Sequence, residues 1–348
     1  MPSFATARVT RLLSERDGLQ RLELADGSRA YALVAVVGPV GVGDRVVVNT
    51  TAVELGLGTG GWHVVHWNLE RESWSSPTTG HVMKLRYTSG QLDLDTDPGP
   101  AELGPVLGGR PVVVAGLHSQ LAPIVAAMRA RRPDWRIAYV MTDGGALPIA
   151  LSELVAELRS RGLLDVTVTA GHAFGGDLEA VNVPAALCAA AGPGRADAVV
   201  VAMGPGVVGT GGPLGTTAIE VAPALDAAAA LGGRPILCVR YSEADPRDRH
   251  RGVSHHVTTA LRLVAHPVTV AVAAAYVDAV RPVLAPLGHA LAVAGGPSAT
   301  ELLAAVGLSV TTMGRSVADD PGFFAMAAAA GWVAAAGPDD DLGTTVHP

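Results

Sequence analysis

The sequence predicts an α/β protein: a parallel sheet flanked by helices, preceded by a small β-barrel-like module. Three observations predict it. Residues 1–97 carry short β-rich runs separated by turn signals. From residue 111, continuous apolar runs alternate with Ala-rich helical stretches, the pattern of a sheet buried on both faces. The chemically versatile residues then follow the apolar runs rather than precede them.

In the first module the runs fall at 7–13, 19–24, 30–37, 45–51, 62–67 and 81–87, with turns at Asp17-Gly18, Asp26-Gly27 and Gly43-Asp44. Short strands at this spacing suggest a closed barrel, OB-like or SH3-like. Pro98-Gly99-Pro100 opens a linker over 98–110. The α/β domain follows over 111–340, with strands expected at 112–117, 137–141, 166–170, 198–203, 236–240, 268–272, 291–294 and 310–313. An open, doubly wound sheet is the first expectation. Eight strands also allow a closed (β/α)8 barrel.

Composition prunes the function classes. The chain has 348 residues, 49% of them hydrophobic and 16% charged, enough for two domains with a sizeable core. Its net charge is -7 and no basic block occurs, so nucleic acid is not expected as a partner. The start lacks a leader pattern, and His266, Pro267 and Asp278 break the most apolar stretch. A cytoplasmic protein with no membrane partner is expected. Cys188 and Cys238 sit among apolar residues and read as buried thiols. Lys84 is the only lysine and no G-x-x-x-x-G-K-[ST] loop exists, so a P-loop nucleotidase is excluded. Lys84 also has no site residues around it, which argues against Schiff-base chemistry.

Three loops carry the candidate sites. In residues 245–256, Asp245, Asp248, His250, His255 and His256 bring imidazoles and carboxylates into one short stretch. Ser254 is an N-cap candidate, which puts His255 and His256 in the first turn of a helix, where the dipole keeps imidazole neutral. Imidazole with carboxylate suits Zn²⁺, Mn²⁺ or Fe²⁺, although the spacing matches no standard zinc motif. Two adjacent histidines on a regular helix are not expected to face one point, so one reads as ligand and the other as its support. Asp143, His172 and Asp177 follow other strands and are candidate catalytic groups; Asp177 could equally cap the next helix. Gly204, Gly206, Gly209, Thr210 and Gly211 form a loop whose backbone N–H groups could meet an anion or a cofactor phosphate. The match to a dinucleotide fingerprint is imperfect, because no helix follows directly. In the first module, His63 and His66 alternate across a strand and are not expected to share a metal.

The stretches 142–148, 171–182, 203–211 and 249–256 resemble a bacterial protein family catalogued only as a domain of unknown function. The resemblance spans nearly the whole chain and implies no activity. Gly212-Pro213 departs from it where a Thr-containing stretch is expected. From the residues, the first expectation is a metal-assisted, hydrolase-type enzyme acting on a small phosphorylated or nucleotide-like ligand. A nicotinamide-dependent oxidoreductase and a non-enzymatic ligand-binding or assembly module are the alternatives. A divalent metal is the expected cofactor, with a nucleotide left open. A small anionic ligand is the expected partner, with a homo-oligomer left open.

Overall fold

Alternating apolar residues build the first unit. A computed structural model describes residues 1–57, 60–76, 80, 82–96, 104–337 and 343–345, and the chain divides into Met1–Asp95 and Thr96–Pro348. In the first unit, β1 (Phe4–Arg16), β2 (Leu19–Leu24), β3 (Arg29–Leu33), β4 (Arg45–Asn49) and β5 (Trp62–Asn68) close a barrel in the order β1-β2-β3-β5-β4. Leu22, Leu24, Ala30, Ala32, Val46, Val48 and Val65 fill it. The expected run 30–37 is strand only to Leu33; its end becomes the short helix α1 (Val34–Val37), which carries Val37 into the barrel core. The run 45–51 likewise stops at Asn49, whose side chain accepts the Thr51 N–H at 3.0 Å and starts α2 (Thr51–Glu54). β6 (Val82–Lys84) pairs with β7 (Leu92–Leu94) and ends where Leu85 takes a positive φ of 51°. The first part of the expected linker, at 98–103, lies outside the described residues.

In the second unit, the chain alternates β8 (Pro111–Ala115), α3 (Leu121–Arg131), β9 (Ile137–Thr142), α4 (Glu153–Ser160), β10 (Val166–Thr169), β11 (Leu178–Glu179), α5 (Val183–Ala191) and β12 (Ala198–Met203). It continues with α6 (Val221–Ala230), β13 (Arg234–Cys238), the hairpin β14 (Tyr241–Ser242) and β15 (Gly252–Val253), α7 (His255–Leu263) and β16 (Thr269–Ala273). Then come α8 (Val277–Leu284), β17 (Ala290–Ala294), α9 (Ala299–Ala305), α10 (Pro321–Ala334) and β18 (Gly343–Thr345). The sheet order is β11-β10-β9-β12-β8-β13-β16-β17-β18, parallel except for β18. It is open, with β11 and β18 at its edges, so the closed (β/α)8 alternative is corrected. The eighth strand expected at 310–313 is not a strand: Met313 and Gly314 take φ of 48° and 78° and turn the chain back on itself.

The central strands β8, β9 and β12 are buried along their whole length, as continuous apolar runs require. α3, α9 and α10 pack together as one helix layer; α5, α6 and α7 form another. The small residues of α10 let it lie close on α3: a Cβ at Gly331 would overlap the carbonyl oxygen of Ile124. β8 and β12 are neighbours, yet β8 leads into the α3 layer and β12 into the α6 layer. Their carboxyl ends therefore part around a crevice, the usual ligand position in open parallel sheets. Among the described residues, no helix is long and apolar enough to cross a membrane.

Candidate functional site

All the flagged loops leave the carboxyl ends of parallel strands, so they share one rim of the sheet. They hold each other there through the backbone. The Ala146 N–H donates to Pro205 O at 2.8 Å, and a Cβ on Gly145 or Gly204 would strike the facing chain. Gly204 is thus required for close approach of two loops.

The histidines converge. β13 ends beside Arg240, the β14–β15 hairpin returns the chain, and Ser254 caps α7 by accepting the His256 N–H at 3.3 Å. His250, His255 and His256 each offer a ring nitrogen within 4.8 Å of the others. The ring centroids of His255 and His256 are 4.4 Å apart, so the expectation that adjacent histidines diverge is corrected. They converge because His250 folds back over the first turn of α7, its centroid 4.7 Å from that of His256. His250 Nδ1 lies 2.7 Å from Ser254 Oγ, leaving Nε2 toward its neighbours. His255 Nε2 is buried with no hydrogen-bond partner. Arg240 donates to His256 Nδ1 at 3.2 Å, which puts the His256 ring proton on Nε2.

All three rings are held neutral. Burial, then the Arg240 and Arg247 guanidiniums, lower the His250 pKa to about 3. Burial and Arg240 lower that of His256 to about 4. Burial and Arg249 lower that of His255. The expected carboxylate ligands are committed elsewhere. Asp245 is buried and takes both Arg247 Nε at 2.9 Å and Arg247 Nη2 at 2.8 Å, with Arg240 and Arg315 close by. Burial alone would raise its pKa; the Arg247 contacts outweigh it and hold the carboxyl well below the usual range. The Asp248 side chain is 97% exposed and pairs loosely with Arg251. Asp245 and Asp248 thus pair with arginine, and the convergent group consists of the three histidines.

Asp143 and His172 meet at the ends of β9 and β10, where the His172 N–H donates to Asp143 Oδ2 at 2.9 Å. Beside them stands Glu220, which no loop motif flagged. Its carboxyl bonds to Thr142 Oγ1 and lies under Gly144. Burial, then the Asp143 charge, raise its pKa to about 7 despite the Thr142 bond. Asp177 is not with them. It accepts the Thr167 N–H at 2.8 Å and pairs with Arg159, back along β10, because the 171–177 loop returns before β11. Nor does it cap a helix, since Asn182 caps α5. Asp177 thus sits with Thr167 and Arg159, apart from Asp143 and His172. From β9 to β13 the order runs β9-β12-β8-β13. The ends of β9 and β13 are thus three strand spacings of roughly 4.8 Å apart, while the turn that carries Glu220 packs against α7. The rim carries two clusters.

The Gly204–Gly211 loop folds into a small exposed arm. Thr210 N–H donates to Gly215 O at 2.7 Å, and Val208 N–H to Thr217 Oγ1 at 3.1 Å. Gly206 and Gly211 serve φ of 93° and 90°. Gly209 faces Thr216 across the arm. The next helical turn begins only at Thr217. A cleft of about 430 Å³ opens at the root of this arm, between β8 and β12. His118 forms part of its wall. The ring donates from Nδ1 to Met203 O at 3.1 Å and accepts the Ser152 hydroxyl at Nε2, 2.7 Å away.

Sequence reasoning missed Glu220, Arg240, Arg247 and Arg315 as partners of these clusters. Arg240 had a signal, since it ends a strand run next to the histidine loop. Glu220 had none: it reads as one more helix-start acid.

Fold and site define a two-unit protein with a barrel and an α/β unit whose rim bears a histidine cluster. The chain belongs to the family described as "Protein of unknown function (DUF3866)", which matches residues 29–331. A search of the curated proteins finds no match.

Proposed function

We propose that the protein is a metal-dependent enzyme acting on a small anionic ligand, with His250, His255 and His256 as the metal-binding group. One observation carries this reading: three neutral imidazoles present nitrogens within 4.8 Å of one another, and His255 Nε2 is buried without a partner. A buried, unpaired ring nitrogen is costly, and a metal ion supplies the missing bond. His250 and His255 offer their Nε2 atoms directly. His256 joins once Arg240 releases its Nδ1. Imidazole ligands suit Zn²⁺, Mn²⁺ or Fe²⁺, and a bound ion of this kind would activate water or polarise the ligand. Arg249 and Arg251 are exposed beside the cluster and supply charge-assisted hydrogen bonds for an anion. The bonded arm at 204–217 makes these arginines better anion holders than the glycine loop.

The contact between Arg240 and His256 favours a second reading, an anion-binding module without metal. Elemental analysis of the full chain, purified with no metal added, separates the two. The first reading expects close to one equivalent of a transition metal, retained on dialysis and lost in His255→Ala, with the melting curve of the metal-free protein preserved. Absence of metal from the native protein, with no Zn²⁺, Mn²⁺ or Fe²⁺ taken up on titration, refutes it.

A further inference from the structure

We infer that a groove along α10 is a second ligand site, separate from the histidine cluster, and that it takes an extended, uncharged hydrocarbon chain such as the acyl part of a lipid-like molecule. The inference does not depend on the histidines holding a metal. The fold opens the groove. β16 and β17 are neighbours in the sheet, yet β16 leads into α8, beside β15, and β17 leads into α9, in the layer of α3 and α10. Their exits, at 273–276 and 294–296, therefore part, and the flank of α10 supplies the remaining wall. The space between them is about 410 Å³, enough for a small molecule.

The shape comes from α10. Pro321, Ala325, Ala328, Ala329 and Trp332 line the groove. They recur every three or four residues and so form one stripe of the helix. From 321 to 332 the stripe advances eleven residues, about 16 Å at roughly 1.5 Å per residue. The site is long rather than round. Its floor is buried, at Ala273, Ala294, Ala299, Ala328 and Ala329, while Gly295, Gly296 and Pro297 are exposed at its mouth. Leu or Ile at the floor positions would fill this space; alanine leaves it as a furrow.

The chemistry of the walls selects an uncharged, apolar occupant. None of the lining residues carries a charge. The Ser298 hydroxyl is spent on the cap of α9, accepting the Glu301 N–H at 3.2 Å and donating to Glu301 Oε2 at 2.9 Å. The Tyr276 hydroxyl donates to Glu243. An ion entering the furrow would shed water and meet no counter-charge on its walls, whereas a hydrocarbon chain loses nothing by the same transfer and gains burial. An aromatic ring stands at each end of the stripe. Tyr276 lies by Gly322, and Trp332 is held by the backbone of Gly296, where a Cβ would come within 2.6 Å of the ring. The Arg131 guanidinium is 4.9 Å from the Trp332 ring centroid and donates to Trp332 O at 3.2 Å, so it is engaged with Trp332 and is not part of the lining.

The test titrates the full chain with hexyl, octyl, decyl and dodecyl glucoside, each below its micelle concentration, by calorimetry and by ¹³C-methyl NMR of the alanines. Affinity is expected to rise about two- to fourfold per added methylene, the groove being open along one side. It should level off near the dodecyl chain, whose extended length is about that of the groove. The Ala325, Ala328 and Ala329 methyl signals should shift, and decanoate should bind no tighter than decyl glucoside. Ala325→Phe, at a half-buried position on the stripe, fills the middle of the groove and is expected to weaken decyl glucoside at least about tenfold. An unchanged melting temperature checks that the variant is folded; if it is not, Thr300→Trp, at an exposed lining position, blocks the mouth instead. An affinity that ignores chain length overturns the inference. So does the absence of decyl glucoside binding, indole binding as tightly as decyl glucoside, full affinity in the folded variants, or shifts confined to alanines outside the groove.

Discussion

His118 allows a quantitative test of the crevice without any ligand. Burial holds its imidazole neutral, with a pKa lowered from 6.5 to about 4. In the unfolded chain the ring protonates near its ordinary value, so below that pH protons favour the unfolded state. The stabilising difference is therefore complete above pH 6.5 and is lost as pH falls toward 4, where the folded ring also titrates. The 2.5-unit gap is 6.5 minus 4, and it corresponds to on the order of 3 kcal/mol. The perturbation is His118→Gln, which removes the titration while keeping a donor and an acceptor near Met203 O and Ser152 Oγ. At pH 7.5 the variant is expected to be less stable by about 1–2 kcal/mol through imperfect hydrogen bonds. Between pH 6.5 and 4.5 its melting temperature should fall less than that of the wild type, so the two curves approach each other or cross. Calorimetry across this range reads the effect, and the ¹³C shift of the His118 ring reads the pKa directly. A ring titrating near 6.5, or two curves that fall in parallel, refutes the reasoning.

Glu220 should act in the opposite sense. Its folded pKa is raised to about 7, so the unfolded chain ionises first and stability declines as pH rises from about 4.5 to 7. Glu220→Gln is expected to be more stable than the wild type at pH 8 by about 1–3 kcal/mol, and the gain should vanish at pH 4.5; a pH-independent difference would count against it. Gly331→Ala places a Cβ against Ile124 O and Ala127. It should separate α10 from α3, cost about 1–3 kcal/mol and lower the melting temperature by several degrees. An unchanged melting curve would show that the helix contact is looser than described.

The fold was legible where local chemistry and tertiary packing agree. Short, Val-rich apolar runs such as 198–203 fit strands buried on both faces, and β12 is one. Alternation in 19–24 likewise marks a strand with one wet face. The run at 310–313 misleads because Val310 and Met313 line a cleft rather than join the sheet. Sheet order was not legible. β12 inserts between β8 and β9, and no residue of β12 announces which neighbours it will have.

The same division explains the site. The histidines were visible because three imidazoles near a Ser N-cap are close in sequence, and the first turn of α7 makes them close in space. Their surroundings come from distant parts of the chain. Arg240 ends β13, while Arg315 follows the turn at Met313 and anchors to Asp320 at 2.9 Å. Those guanidiniums hold Asp245, because a carboxylate buried beside three arginines is stabilised by pairing with them. The consequence bears on the metal itself. The positive field that keeps the imidazoles neutral also opposes a cation, so each arginine removed should tighten metal binding while each histidine removed should abolish it. Arg240→Met makes the contrast sharp, since it frees His256 Nδ1 and deletes a buried charge with little change in volume. A metal centre predicts higher Zn²⁺ affinity in that variant, and a metal-free anion site predicts only weaker anion binding.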